Sequence, residues 1–161
     1  MGEGISRYRS LNRKFNAKMS PSQRLPADHS SASPQLSPVA TALLIGLFGA
    51  AGALARYGIF AAASQFPDPT FPWGTSLTNV LGCFLFGLIW TLSEKRALIP
   101  KPLGLVLLTG FVGSFTTFST YVYEAEVLLQ QGQWLTLGLK ILVQNLLGFG
   151  ALILGVRVGR I

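Results

Sequence analysis

Hydrophobic positions gather into four long runs, Val39 to Ala63, Trp73 to Leu92, Leu103 to Leu129 and Leu135 to Val156, separated by short polar or charged stretches. A bilayer core needs about 20 apolar residues of helix to cross it, so each run predicts one transmembrane helix. The expected fold is all-α and integral to a membrane, with residues 39–161 forming one four-helix unit. Four helices cannot enclose a generous cavity, so a pore is expected between subunits.

The third run is not uniform. From Gly110 to Tyr121 it reads Gly-Phe-Val-Gly-Ser-Phe-Thr-Thr-Phe-Ser-Thr-Tyr, placing two glycines and the hydroxyls of Ser114, Thr116, Thr117, Ser119 and Thr120 in apolar surroundings. Leu103 to Leu108 precede it and Val122 to Leu129 follow, which puts the polar stretch at membrane depth. Non-helical backbone is tolerated there only where it is buried in protein or lines a wet cavity. The pattern therefore predicts a third helix broken near its middle. Gly110 and Gly113 relax the helix, and the hydroxyls satisfy or expose freed carbonyls, which is one way to build an ion site.

The second run has a polar side of its own. Thr75 and Asn79 are four apart and share one face of a helix, while Ser76 and Thr78 project elsewhere. An amide and a hydroxyl in hydrocarbon are costly unless paired or hydrated, so this face is expected to meet another helix or a file of water. In the first run Gly46, Gly49 and Gly52 form a small-residue face that permits close helix approach, and Arg56 ends it.

Composition narrows the class. Half of the 161 residues are hydrophobic and 12% are charged, with a positive mean hydropathy, the balance of an integral membrane protein rather than a soluble enzyme. The sequence contains no phosphate-binding Gly-x-x-x-x-Gly-Lys motif, no His or Cys metal cluster and no supportable Ser-His-Asp arrangement. Neither an enzyme nor an energy-coupled pump is expected. Cys83, the only cysteine, reads as a small packing residue, and His29, the only histidine, as part of a solvated linker.

Residues 1–38 carry Arg7, Arg9, Arg13, Lys14, Lys18 and Arg24 against Glu3 and Asp28, and are rich in Ser and Pro. This composition does not predict a folded domain. It suits a disordered cytoplasmic tail drawn to anionic lipid, an organelle transit peptide, or sequence upstream of a start at Met19. Among the loops, Lys95, Arg96, Lys101, Arg157 and Arg160 fall on one side, while 64–72 and 130–133 have no Lys or Arg. The positive-inside rule places both termini and the middle loop in the cytoplasm.

Three segments together resemble the small dimeric fluoride channels of the CrcB (Fluc) type. The stretch from Gly110 to Tyr121 is similar to the family's Gly-x-x-Thr-Thr-Phe-Ser-Thr-Phe motif. Gly49 to Tyr57, Gly-Ala-Ala-Gly-Ala-Leu-Ala-Arg-Tyr, resembles the first-helix pattern, and Gly74 to Gly82, Gly-Thr-Ser-Leu-Thr-Asn-Val-Leu-Gly, the second-helix pattern. The resemblance spans roughly Val39 to Gly155. It implies a passive, fluoride-selective channel that exports cytoplasmic fluoride, built as a dual-topology-type antiparallel dimer.

The same resemblance implies roles. Asn79 becomes a pore-lining donor near Thr75, and Phe118 and Tyr121 offer ring edges along an ion pathway that includes Ser119 and Thr120. Tyr121 departs from the family's Phe. Arg56 falls near a wide vestibule and Glu124 at a channel end, whereas Glu126 has no counterpart. Backbone carbonyls of Gly113 and Thr116 from both subunits are implied ligands of a structural sodium ion at the dimer interface. Lys140 and Gln144 stand where the family usually has Tyr and Ser. The charged Lys140 is read as attracting anions, snorkelling, or marking an altered pore.

Partners expected from this reading are fluoride, membrane lipid, and either a second copy or an oppositely oriented homologue, with no role for nucleic acid. The expected location is the cell membrane, or an organelle membrane if the leader is a transit peptide. Two other functions remain as alternatives. A proton-coupled small multidrug-type exporter needs a carboxylate in its first helix, and Val39 to Ala63 has none. A non-conducting membrane assembly protein would use its polar faces only to hold helices together.

Overall fold

The computed structural model describes residues 36–66 and 71–161. The expectations for residues 1–35, His29 and Met19 included, lie outside the described residues. Among the described residues, four helical spans are long and apolar enough to cross a membrane: Pro38–Ala63, Trp73–Lys95, Lys101–Gln130 and Trp134–Arg160.

Helix α1, Pro38–Ala63, starts where the Ser37 hydroxyl accepts a hydrogen bond from the Ala40 amide at 3.1 Å, with Pro38 in the first turn. Proline suits that position because its missing N–H would have no helical partner. The helix's 26 residues extend about 39 Å at 1.5 Å per residue. The second span is α2, Trp73–Trp90, continued by a π-helical turn at Thr91–Lys95.

The third span is composite. It runs through α3, Lys101–Val106, a π-helical stretch at Leu107–Val112 and the short α4, Gly113–Phe115, then breaks and resumes as α5, Phe118–Gln130. The chain reverses through Gln131–Gln133, where Gly132 has a φ of 69°, and returns as α6, Trp134–Arg160. A positive φ costs glycine nothing sterically, which lets so short a connection work.

Glycine spacing sets the helix pairing. The most extensive contact is between α2 and α6. A Cβ on Gly155 would collide with the Phe84 carbonyl, and one on Gly87 with the Leu152 carbonyl. The two backbones therefore lie against each other, as small residues allow in membranes. Cys83 belongs to this seam, with its sulfur 3.4 Å from where a Gly148 Cβ would sit. On the other side, α1 packs on the π-helical stretch. A Gly52 Cβ would strike the Phe111 carbonyl and a Gly110 Cβ would come within 2.8 Å of the Ile45 carbonyl. Gly46 has open space instead, so the close approach uses Gly49 and Gly52.

The buried apolar core of the described residues is small, comprising Val106, Val112, Phe115 and Leu128. Large apolar side chains such as Leu47, Leu54, Leu135 and Phe149 point outward, and the buried set includes Thr75, Thr78, Thr91, Ser93, Thr117 and Lys140. This inverts the usual soluble arrangement and fits a lipid-surrounded chain.

Among the described residues, the cations of the middle loop and the C-terminus, Lys95, Arg96, Lys101, Arg157 and Arg160, fall at one end of the helices. The Arg96 guanidinium donates to the Arg160 carbonyl at 2.8 Å and Lys101 pairs with Glu94 at 3.0 Å. The helix-to-helix seam gives a direct expectation: Gly155→Val forces α2 and α6 apart and lowers the thermal midpoint in detergent by several degrees, about 1–3 kcal/mol of overpacking. Gly138→Ala, at a position with open space, leaves the stability within about 0.5 kcal/mol of wild type.

Candidate ion pathway at the broken helix

The break falls at Thr116 and Thr117, whose backbone is extended, with φ/ψ of −80/160° and −147/113°. Two adjacent β-branched residues favour that geometry. Breaking a helix in a membrane leaves backbone groups without partners, each costly in hydrocarbon. Here Asn79 supplies them. Its Oδ1 accepts from the Thr117 N–H at 2.8 Å and its Nδ2 donates to the Thr117 carbonyl at 3.0 Å. The amide side chain of α2 thus serves the break as a second peptide group would.

Thr117 also starts the helix that follows. Its hydroxyl oxygen accepts from the Thr120 N–H at 3.2 Å and donates to the Thr120 hydroxyl at 2.9 Å, satisfying an amide that the new helix leaves free. The Ser119 hydroxyl lies 3.4 Å from the same oxygen. On the preceding side, Thr116 Oγ1 donates back to the Val112 carbonyl at 3.0 Å.

These diversions free specific carbonyls. In an unbroken helix the Thr117 N–H would bond to the Gly113 carbonyl and the Thr120 N–H to that of Thr116. Both amides are directed elsewhere. The Thr116 carbonyl has instead a long contact of 3.5 Å from Arg56 Nη1, and Gly113 is exposed with no side chain to cover it. The Gly113 carbonyl thus loses its helical partner, and the Thr116 carbonyl exchanges its own for the Arg56 guanidinium. Arg56 is half-buried and turned toward the break rather than extended along the lipid boundary.

A cavity of about 470 Å³ opens beside the break, lined among others by Asn79, Cys83, Thr116, Phe118, Tyr121 and Gln144. The Phe118 and Tyr121 rings are 6.0 Å apart and tilted by 34°. Phe118 is 77% exposed, on the open side of the cavity. Asn79 Nδ2 carries a second hydrogen beyond the one given to Thr117, so clamping the break does not exhaust it as a donor. Gln144 accepts from the Ser76 hydroxyl at 3.4 Å.

Farther along α5 is a charged cluster. Glu124 Oε1 accepts from Thr75 Oγ1 at 2.5 Å, and Lys140 Nζ lies 3.1 Å from Glu124 Oε2. Lys140 also donates to the Tyr121 carbonyl at 2.8 Å, and its Nζ stands 4.8 Å from the centre of the Tyr121 ring. Glu124 borders a second cavity of about 510 Å³, together with Pro72, Tyr123, Val127, Leu128, Gln131 and Gln133. Glu126 faces away and accepts from Gln130 at 3.0 Å.

Thr75 and Asn79 therefore share the α2 face turned toward the third span, one meeting Glu124 and the other Thr117. Helical spacing alone reveals neither the Asn79 clamp nor the partner of Lys140, which is wholly buried and so does not snorkel. The signal for the ion pair was present in the cost of a carboxylate such as Glu124 and an ammonium such as Lys140 within apolar runs. Nothing local connects two residues on different helices.

A membrane protein with four apolar spans among its described residues, the third interrupted by polar backbone, defines the class. The profile described as CrcB-like protein, Camphor Resistance (CrcB), matches residues 43–156, and the chain belongs to that family. It is 46% identical over 117 residues to the fluoride-specific ion channel FluC of Solidesulfovibrio magneticus, covering 73% of this chain and 94% of that one. The protein of the same name from Nitrosococcus oceani is 44% identical over the same shares. That of Nitratidesulfovibrio vulgaris is 46% identical over 74% of this chain and 96% of its own.

Asn79→Ala leaves the backbone N–H and the backbone carbonyl of Thr117 both unpaired. The expected loss of stability is about 1–3 kcal/mol for each, with faster hydrogen exchange at the Thr117 amide. Asn79→Asp keeps the acceptor but loses the donor, so it should fall between wild type and alanine in thermal unfolding.

Proposed function

We propose that this chain is a subunit of a passive, fluoride-selective channel that lets fluoride leave the cytoplasm and so limits its toxicity. The observation that carries the reading is the break at Thr116–Thr117, held by Asn79, with Phe118 and Tyr121 beside a cavity that also contains polar side chains. Relatives 44–46% identical over nearly their whole length are named fluoride-specific channels.

Fluoride is small and strongly hydrated, so a path for it must replace water with close donors without trapping the ion. Aromatic rings present a positive edge, and the remaining Nδ2 hydrogen of Asn79 and the hydroxyls of Ser119 and Thr120 supply donors. Phe118 and Tyr121 line the path beside the break, Arg56 raises the local anion concentration, and Thr75 and Glu124 stand toward one end. Tyr121 adds a hydroxyl to this path. Helix α1 contains no carboxylate, which argues against proton-coupled export.

The Gly113 and Thr116 carbonyls are the proposed sodium ligands, contributed by two subunits. Bound there, the ion would tie the broken helices together and offset the cost of a nearby anion. Replacing sodium by choline during purification is expected to lower the thermal midpoint and split the dimer on size exclusion. A dimer indifferent to sodium would remove this assignment.

The assembly proposed is an antiparallel dimer in the cell membrane. Cleavage of residues 1–38 on import would instead assign it to an organelle. The basic end formed by Lys95, Arg96, Lys101, Arg157 and Arg160 favours one orientation, so an antiparallel pair requires either an oppositely oriented homologue or insertion against that bias. Cysteine-accessibility mapping of the chain expressed alone separates these. Both orientations with conduction mean a homodimer, and a single orientation without conduction means a separate partner.

Fluoride efflux from liposomes tests the function. The expected result is rapid fluoride release down its gradient, chloride retained, and a decrease of at least about tenfold in Phe118→Ile, equivalent to about 1.4 kcal/mol on the barrier. Equal chloride release, or a requirement for a proton gradient, would overturn the reading.

A further inference from the structure

We infer that Lys140 is a positioning residue for conduction: its buried ammonium cancels the charge of Glu124, so that an anion passes a neutral pair rather than a bare carboxylate. The inference rests on the channel reading above and goes beyond it by giving a role to a residue that lines neither of the two cavities described. The Lys140 side chain has 0% exposure, and its ammonium sits between the Tyr121 carbonyl at 2.8 Å and Glu124 Oε2 at 3.1 Å. Fluoride cannot reach it there, so Lys140 acts through Glu124.

The location makes that charge matter. Tyr121 borders the cavity at the break and Glu124 the second cavity, and Lys140 touches both residues, so the pair stands at their junction. Glu124 retains 23% exposure, enough for its field to reach an ion in the second cavity. A lone carboxylate about 6 Å from an anion, at an effective dielectric of about 20, lowers the anion's occupancy about a hundredfold. Two ion pairs occur among the described residues, Lys101–Glu94 and Lys140–Glu124, so Lys140 is the one cation there paired with this carboxylate.

Stability alone gives little reason for the arrangement. A buried ion pair replaced by neutral side chains of similar volume is often no less stable, and intramembrane charges are expensive unless they serve a function. Thr75 fixes the other carboxylate oxygen, Oε1, so the acid is held on both sides and its charge is opposed in place.

The test compares liposome fluoride efflux and bilayer reversal potentials for wild type, Lys140→Met, Glu124→Gln and the double variant. Lys140→Met is expected to lose at least about tenfold in flux and to shift the reversal potential away from anion selectivity. The double variant, neutral at both positions, should recover to within about threefold of wild type. Recovery distinguishes charge cancellation from packing, because the double variant restores no Lys140 contact. Lys140→Met conducting like wild type, or a folded double variant no better than Lys140→Met, overturns the inference.

Glu124→Gln, which is nearly isosteric, keeps the test decisive if Lys140→Met does not fold. With the ammonium unopposed, the fluoride concentration for half-maximal flux should fall about tenfold, and an unchanged value overturns the inference. Wild-type protein without fluoride flux would remove the channel reading and this inference with it. Wild-type conduction with the opposite variant pattern removes this inference alone.

Discussion

The two hydrogen bonds between the Asn79 amide and the backbone N–H and carbonyl of Thr117 are what the rest of the site depends on. A helix interrupted at membrane depth would otherwise expose an N–H and a carbonyl to hydrocarbon. Because the side chain of α2 supplies both partners, Thr116 and Thr117 can remain extended, α5 can start again with Thr117 at its N-terminus, and Phe118 can face the cavity. The freed Gly113 and Thr116 carbonyls are products of the same diversion.

Around that point the third span is held by different neighbours on its two sides. Before the break, the π-helical stretch lies against α1 through Gly52 and Gly110, where no side chain would fit. After it, α5 is tied to α2 through Thr75 and Glu124 and to α6 through Glu124 and Lys140. Backbone packing fixes one half and polar contacts fix the other. The open cavity lies where these two modes of attachment meet.

Much of this was legible in the sequence because the bilayer imposes a length and a polarity on each span. The runs from Val39, Trp73, Leu103 and Leu135 match the helices closely, and the polar segment after Gly110 marked the break. The fourth span was read short because Arg157 and Arg160 looked like loop, whereas cations suit a helix C-terminus. The glycines misled in part: Gly110 is a packing position, and the extended residues are two threonines. Helical spacing put Thr75 and Asn79 on one face but could not reveal what lay opposite them. Lys140 illustrates the limit, since its meaning depends on a carboxylate carried by another helix.

The Asn79 clamp also sets an order of assembly. The third span cannot rest in lipid by itself, because its break would leave the Thr117 peptide unsatisfied. It becomes stable there only with α2 alongside. Since α2 precedes it in the chain, that partner has already been synthesised when the third span emerges, and the sequence order of the helices provides for their safe insertion.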